Sequence, residues 1–299
     1  MKSTILPKPL KPGDLLRVIA PSGALREFAA LKQSVEIWRS RGYRIEVSSD
    51  IDHHWGYLAN KDEVRRHQLA SAWQDPDCRG ILCARGGFGS TRILEDWHWQ
   101  TNSDPKWLIG FSDITALLWS LYNAGISGVH GPVLTTLADE PDWSTERLFN
   151  LVEGRPIAPL KGCGWGGGVA TGILLPGNLT VATHLLSTPI QPNFDGVILA
   201  LEDVTEAPYR IDRMLTQWRL SGVLAKVKGI ALGSFTRCEA APNIPSFNTE
   251  EVLRDRLADL GIPIVSDLPF GHGEHNASLP VGVPVTLDAN HGVLDIVTL

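Results

Sequence analysis

The feature that most constrains this chain is the alternation, through its first half, of short apolar runs with longer amphipathic ones. Leu15 to Ala20 (LLRVIA) reads as a buried strand, and Pro21-Ser22-Gly23 as a turn opening a helical pattern that runs to about Arg41. Arg44 to Val47 predicts a second strand, Lys61 to Gln74 a helix stopped by Asp75-Pro76, and Gly80 to Ala84 (GILCA) a third strand. Trp107 to Ile109 predicts a fourth strand, followed by a helix over Ile114 to Asn123 and a short apolar piece near Val129. Strands that alternate with helices imply a parallel sheet covered on both faces, where ligands gather at the carboxyl ends of the strands.

The texture changes at Asn150. Arg155-Pro156 through Gly166-Gly167-Gly168 is rich in Gly and Pro and has no periodicity, which reads as a linker. The expected division is an N-terminal α/β domain over 1–150, a linker over 151–168 and a C-terminal domain over 169–299. In the latter, a turn is expected at Gly177-Asn178, helices over Leu179 to Leu186, Ile211 to Ser221 and Thr249 to Leu260, and strands over Val197 to Leu201, Lys228 to Gly233 and Ile264 to Ser266. A valine-rich C-terminal stretch completes the β content.

Composition narrows the function classes. The 299 residues exceed the roughly 100 to 200 of one ordinary domain, and 43% hydrophobic with 20% charged residues marks a folded chain. A net charge of -6 with scattered Lys and Arg lacks the basic footprint of a nucleic-acid binder. Cys78, Cys83, Cys163 and Cys238 show neither a metal-type spacing nor a disulfide framework, which fits a reducing compartment. Without an apolar leader or a long apolar span, a cytoplasmic protein free of the membrane is expected.

Four segments carry candidate chemistry. In Gly110-Phe111-Ser112-Asp113-Ile114-Thr115 a serine stands at the sharp turn between strand and helix, where the first helical N–H groups suit an oxyanion. Ile114 occupies the place of the second glycine of a G-x-S-x-G elbow, and a plain helix cap by Ser112 or Asp113 is the alternative. Arg85-Gly86-Gly87-Phe88-Gly89-Ser90 follows a strand. Its glycines allow close backbone approach, and Arg85 with the Gly86 N–H suits a substrate carboxylate. Glu202 and Asp203 end an apolar strand, a place from which an acid can orient a histidine. Finally, Phe270-Gly271-His272-Gly273-Glu274-His275 presents His272 between glycines as a general base. His272 and His275 with Glu274, His53 and His54 could instead ligate zinc, although no H-E-x-x-H helix is present.

In this order, Ile19-Ala20-Pro21-Ser22-Gly23, Arg85 to Gly89, Gly110 to Thr115, Leu201-Glu202-Asp203 with Tyr209 to Leu215, and Phe270-Gly271-His272 resemble the serine LD-carboxypeptidases. That family contains muramoyl-tetrapeptide carboxypeptidase and the microcin C immunity peptidases. The resemblance implies a flavodoxin-like parallel-sheet domain followed by a β-rich domain of swivelling-barrel type. It implies release of the terminal D-alanine from murein tetrapeptides, in peptidoglycan recycling, through an acyl-enzyme. Ser112 then matches the nucleophile, His272 the base, Glu202 the orienting acid, and the N–H groups of Gly87 and Asp113 the oxyanion hole. A homodimer without metal or organic cofactor is also implied. Two positions depart from the family pattern: Pro176 and Ser187 stand where many members have glycine. Cleavage of a peptidyl or aminoacyl nucleotide is the rival within the family. A non-catalytic small-ligand binder is the rival outside it.

Overall fold

The computed structural model describes residues 4–101 and 104–297. The described residues divide into two compact units, one formed by residues up to 157 with 277–282 and the other by 158–276 with those from 283 on. The division falls after Ile157 rather than at 150, and neither unit is one continuous stretch.

The first unit contains β1 (Leu15–Ile19), α1 (Phe28–Ser40), β2 (Arg44–Val47), α2 (Asp62–Gln74), β3 (Cys78–Cys83), α3 (Ser90–Ile93), β4 (Trp107–Gly110), α4 (Thr115–Asn123), β5 (Val129–His130) and α5 (Asp142–Val152). The first five strands pair in parallel in the order β2-β1-β3-β4-β5, the flavodoxin-like arrangement. Its strand order reverses between β1 and β3, so the crevice at their carboxyl ends lies between the loops that begin at Ala20 and Ala84. The helical pattern after β1 starts later than its periodicity predicts, at Phe28. The intervening backbone is bound elsewhere: the Gly23 N–H donates to Gly86 O at 3.1 Å and the Ala24 N–H to Tyr57 O at 2.9 Å. Helix α1 buries Leu31, Val35 and Trp38, one face at the i, i+4, i+7 spacing. Trp38 meets Phe149 of α5 edge-on, ring centroids 4.7 Å apart.

The second unit contains β6 (Leu160–Lys161), β7 (Cys163–Gly164), β8 (Val169–Asn178), α6 (Leu179–Leu185), β9 (Val197–Val204), α7 (Pro208–Leu220), β10 (Gly229–Thr236), α8 (Thr249–Leu257), β11 (Ile264–Ser266), β13 (Pro284–Asp288) and β14 (Val293–Ile296). The strand between the last three, β12 (Leu279–Pro280), pairs antiparallel with β5 and belongs to the first sheet. There Pro280, which has no N–H to donate, sits on an edge strand.

The second sheet runs β6-β14-β13-β8-β9-β10-β11-β7. Its two edge strands are separated in sequence only by Gly162, so the sheet curls until its edges meet and forms the expected barrel. This corrects the linker reading of 151–168. Helix α5 runs to Val152, Gly162 and Gly164 lie at the seam of the barrel, and Gly166 to Gly168 form the loop between β7 and β8. A side chain on Gly162 would collide with Ser266 O, and one on Gly164 with Ala289 O. The expected turn at Gly177-Asn178 is also corrected. Both residues end β8, and the Asn178 side chain caps α6 by accepting the Val181 N–H at 3.1 Å. Ser187 takes φ 62°, a left-handed conformation that glycine adopts without cost. The Gln191 side chain holds its N–H at 2.7 Å.

Candidate active site

In the first unit, extended Phe111 carries β4 into a one-turn 3-10 helix at Ser112–Ile114 that leads into α4. Ser112 has φ 62°, the left-handed conformation that an L-residue adopts at a cost and that marks a strained elbow. Gly110 allows the tight packing beneath it, since a Cβ there would lie 3.0 Å from Ile114 and 3.1 Å from Cys83. The Ile114 side chain thus packs on Gly110, and the second glycine of the elbow is not required.

The loop after β3 lies beside this serine. A Cβ on Gly86 would stand 3.0 Å from Ser112 Cβ and 3.1 Å from Oγ, so any side chain there would press on the serine. The Gly86 carbonyl accepts from Gly23 on the β1 side. Across a trans peptide N–H and C=O point in opposite directions, so the Gly87 N–H is directed away from Gly23. Asp113 is buried, and its Oδ2 accepts from Ser22 Oγ at 2.6 Å and from the Ser90 N–H at 2.8 Å. Arg85 donates to Ala24 O at 2.8 Å and stands 3.4 Å from Glu27, with 29% of its side chain exposed.

In the second unit, β9 alternates two acids between its faces. Glu202 is fully buried, and its Oε2 lies 2.6 Å from His272 Nδ1 and accepts the His272 N–H at 3.2 Å. An acceptor-only carboxylate on Nδ1 selects the tautomer in which Nδ1 carries the proton and Nε2 is the basic nitrogen. Gly271 permits this approach at φ 94°, since a Cβ there would lie 2.5 to 2.7 Å from the Glu202 side chain. The Gly271 N–H donates to Asn276 Oδ1 at 2.9 Å. Asp203 faces the other way and accepts from Asn178 Nδ2 at 2.9 Å, from the Thr180 N–H at 2.9 Å and from Thr180 Oγ1 at 2.8 Å. Burial raises its pKa. It is a structural acid that ties β9 to the start of α6.

Among the described residues no group of three or more His, Cys, Asp or Glu side chains could hold a metal ion. His53 and His54 are exposed in the loop after β2. Sequence reasoning gave no role to Ser22, Ser90, Asn276 or Arg65, although Ser22 and Ser90 lie within the segments it singled out.

Two family descriptions match the chain. The LD-carboxypeptidase N-terminal domain matches residues 16–131, and the LD-carboxypeptidase C-terminal domain matches residues 171–287. A protein of Synechocystis sp., provisionally named a carboxypeptidase, is 59% identical over 98% of this chain and 97% of its own. The murein tetrapeptide carboxypeptidase of Pseudomonas aeruginosa is 32% identical over 91% of this chain and 92% of its own. Among solved structures, muramoyltetrapeptide carboxypeptidase from Oxalobacter formigenes has a TM-score of 0.84 at 30% identity, covering 94% of this chain and 98% of that one. The microcin C7 self-immunity protein MccF, in complex with aspartyl sulfamoyl adenosine, reaches 0.88 at 21% identity, covering 98% of both chains, a likeness of fold.

Proposed function

Because the chain belongs to the LD-carboxypeptidase family, we propose that it is a serine peptidase that releases the terminal D-alanine from murein tetrapeptides. The observation that carries the serine mechanism is the buried Glu202 carboxylate on His272 Nδ1, which makes Nε2 the general base. Ser112, on its strained elbow, is the nucleophile. It attacks the carbonyl of the terminal peptide bond while His272 takes its proton. The Gly87 and Asp113 N–H groups stabilise the oxyanion, a contribution of about 2.7 to 4 kcal/mol per donor. His272 then returns the proton to the departing amine of D-alanine, leaving an acyl-enzyme on Ser112. Water, deprotonated by His272, releases the shortened peptide.

The substrate carboxylate is assigned to Arg85 and the Gly86 N–H. Glu27, a carboxylate 3.4 Å from the Arg85 guanidinium, already occupies the kind of position the substrate group would take. The assignment to murein rests on the relatives at 30% identity or more, whereas the MccF likeness speaks to fold alone. The active species is assigned as a cytoplasmic homodimer acting in peptidoglycan recycling. The free cysteines fit a reducing compartment, and no helix among the described residues is long and apolar enough to cross a membrane.

Mass spectrometry of a muropeptide mixture before and after incubation tests the reading. Tetrapeptides should lose one D-alanine with the wild type and remain intact with Ser112→Ala. Turnover of an aminoacyl sulfamoyl nucleotide with the muropeptides untouched would overturn it in favour of the immunity-type reaction. No turnover and no labelling of Ser112 by a fluorophosphonate would favour a binding protein.

A further inference from the structure

We propose that Arg65 and the Asp113 side chain form a buried clamp that aims the Gly87 N–H, which makes Arg65 a positioning residue for the oxyanion hole. The proposal rests on the reading of Ser112 as the nucleophile given above.

Arg65 lies in α2 with its side chain fully buried. A buried guanidinium is costly unless its donors are matched, and here acceptors from several segments match them. Nη1 donates to Pro21 O and, at 2.8 Å, to Gly89 O; Nε donates to Asn60 O at 3.1 Å; Nη2 pairs with Asp62. Asp113 holds the next residue of each of the same two loops. Pro21 and Ser22 belong to the loop after β1, and Gly89 and Ser90 to the loop after β3. In both loops the first residue is bound by Arg65 and the second by Asp113. Gly89 is shaped for this contact: it takes φ 122°, and a Cβ on it would lie 2.9 Å from Arg65 Nη1.

The consequence is mechanical. The peptide between Gly86 and Gly87 lies within the braced segment, and its carbonyl is held by Gly23 of the facing loop. With both loops anchored twice, that peptide cannot rotate without breaking a buried hydrogen bond, so the Gly87 N–H keeps its direction. A helix-stabilising ion pair would require Asp62 alone. The bonds to carbonyls of two active-site loops are what a brace requires, and the rigid fork of Arg supplies them where Lys, a point charge, cannot.

The test is Arg65→Lys, with wild type in the same assays. On murein tetrapeptide, kcat should fall about 100-fold, the usual loss for one oxyanion donor, with KM nearly unchanged. Affinity for a peptide boronate that mimics the tetrahedral intermediate should fall in parallel, while affinity for the product peptide is retained. Hydrogen exchange at the Gly23 amide should accelerate at least about tenfold. A folded Arg65→Lys with wild-type kcat, or with equal losses of boronate and product affinity, overturns the proposal. If Arg65→Lys does not fold, Ser22→Ala removes the Asp113 arm instead. It should lower kcat about tenfold, a single buried hydrogen bond, and wild-type kcat would overturn the clamp. If the wild type itself leaves tetrapeptide uncleaved, the functional reading fails. The clamp is then decided by Gly23 exchange in the folded variant: acceleration supports it, and unchanged protection overturns it.

Discussion

One oxygen of Glu202 accepts from both the ring Nδ1 and the backbone N–H of His272, at 2.6 and 3.2 Å. The carboxylate therefore sets the tautomer of the imidazole and the position of its backbone together. Glu202→Gln should keep the fold and lower kcat by up to about 10⁴-fold, because the amide can offer an N–H to Nδ1 and reverse the tautomer. Steady-state kinetics alongside thermal unfolding checks this; a variant that retains a tenth of wild-type kcat would remove Glu202 from the mechanism.

Ser112→Ala and His272→Ala should each abolish nearly all turnover, and the double variant should lose little more than either single one. Residues that act as one unit are strongly non-additive. Rates measured under single-turnover conditions for the three proteins decide it, with multiplicative losses counting against a shared step.

Two glycines should fail in different ways. Gly86→Ala places its methyl about 3 Å from the Ser112 side chain, so the protein should fold with near-native stability and lose activity. Gly271→Ala combines a left-handed backbone with overlap on Glu202, and stability should fall by at least about 1 to 3 kcal/mol. Denaturant unfolding and kcat on the same samples separate the two outcomes.

At the barrel seam, Gly162→Ala drives a side chain into Ser266 O and should cost about 1 to 3 kcal/mol of stability. Unfolding midpoints report the loss; an unchanged midpoint would show that the seam can part without penalty.

Arg85→Lys should raise KM for peptides with a free C-terminal carboxylate about tenfold, since a forked charge-assisted contact becomes a single one, while kcat changes less. The same KM for a C-terminally amidated peptide and the free acid in the wild type would withdraw Arg85 from carboxylate recognition.

The parallel first sheet was legible because strands flanked by amphipathic helices have a strong period, and the place of Ser112 at a turn was legible because that turn joins two such elements. Glu202 and His272 were each visible as a residue type in a suitable place. Their pairing was not, since 70 residues separate them and nothing local encodes the contact. Choosing Glu202 over Asp203 came from family resemblance. The physical reason emerges only when strand alternation turns one acid toward His272 and the other toward α6. Arg65 was passed over as part of an ordinary helix, because arginine is normally solvated and its burial depends on carbonyls from distant loops. Gly162 and Gly164 were misread because β6 and β7 are two residues long, too short to show a period. Close backbone approach at a seam and flexibility in a linker call for the same residue.

The placement of β12 bears on how the protein is made. The residues up to Ile157 leave the ribosome before β12, yet the edge of their sheet beside β5 is completed only by Leu279–Pro280. During synthesis the nascent first unit must wait, with that edge unpaired, for more than a hundred further residues to emerge. Cutting the gene after Ile157 would leave the same edge open permanently, so separately expressed halves should self-associate or require each other for solubility.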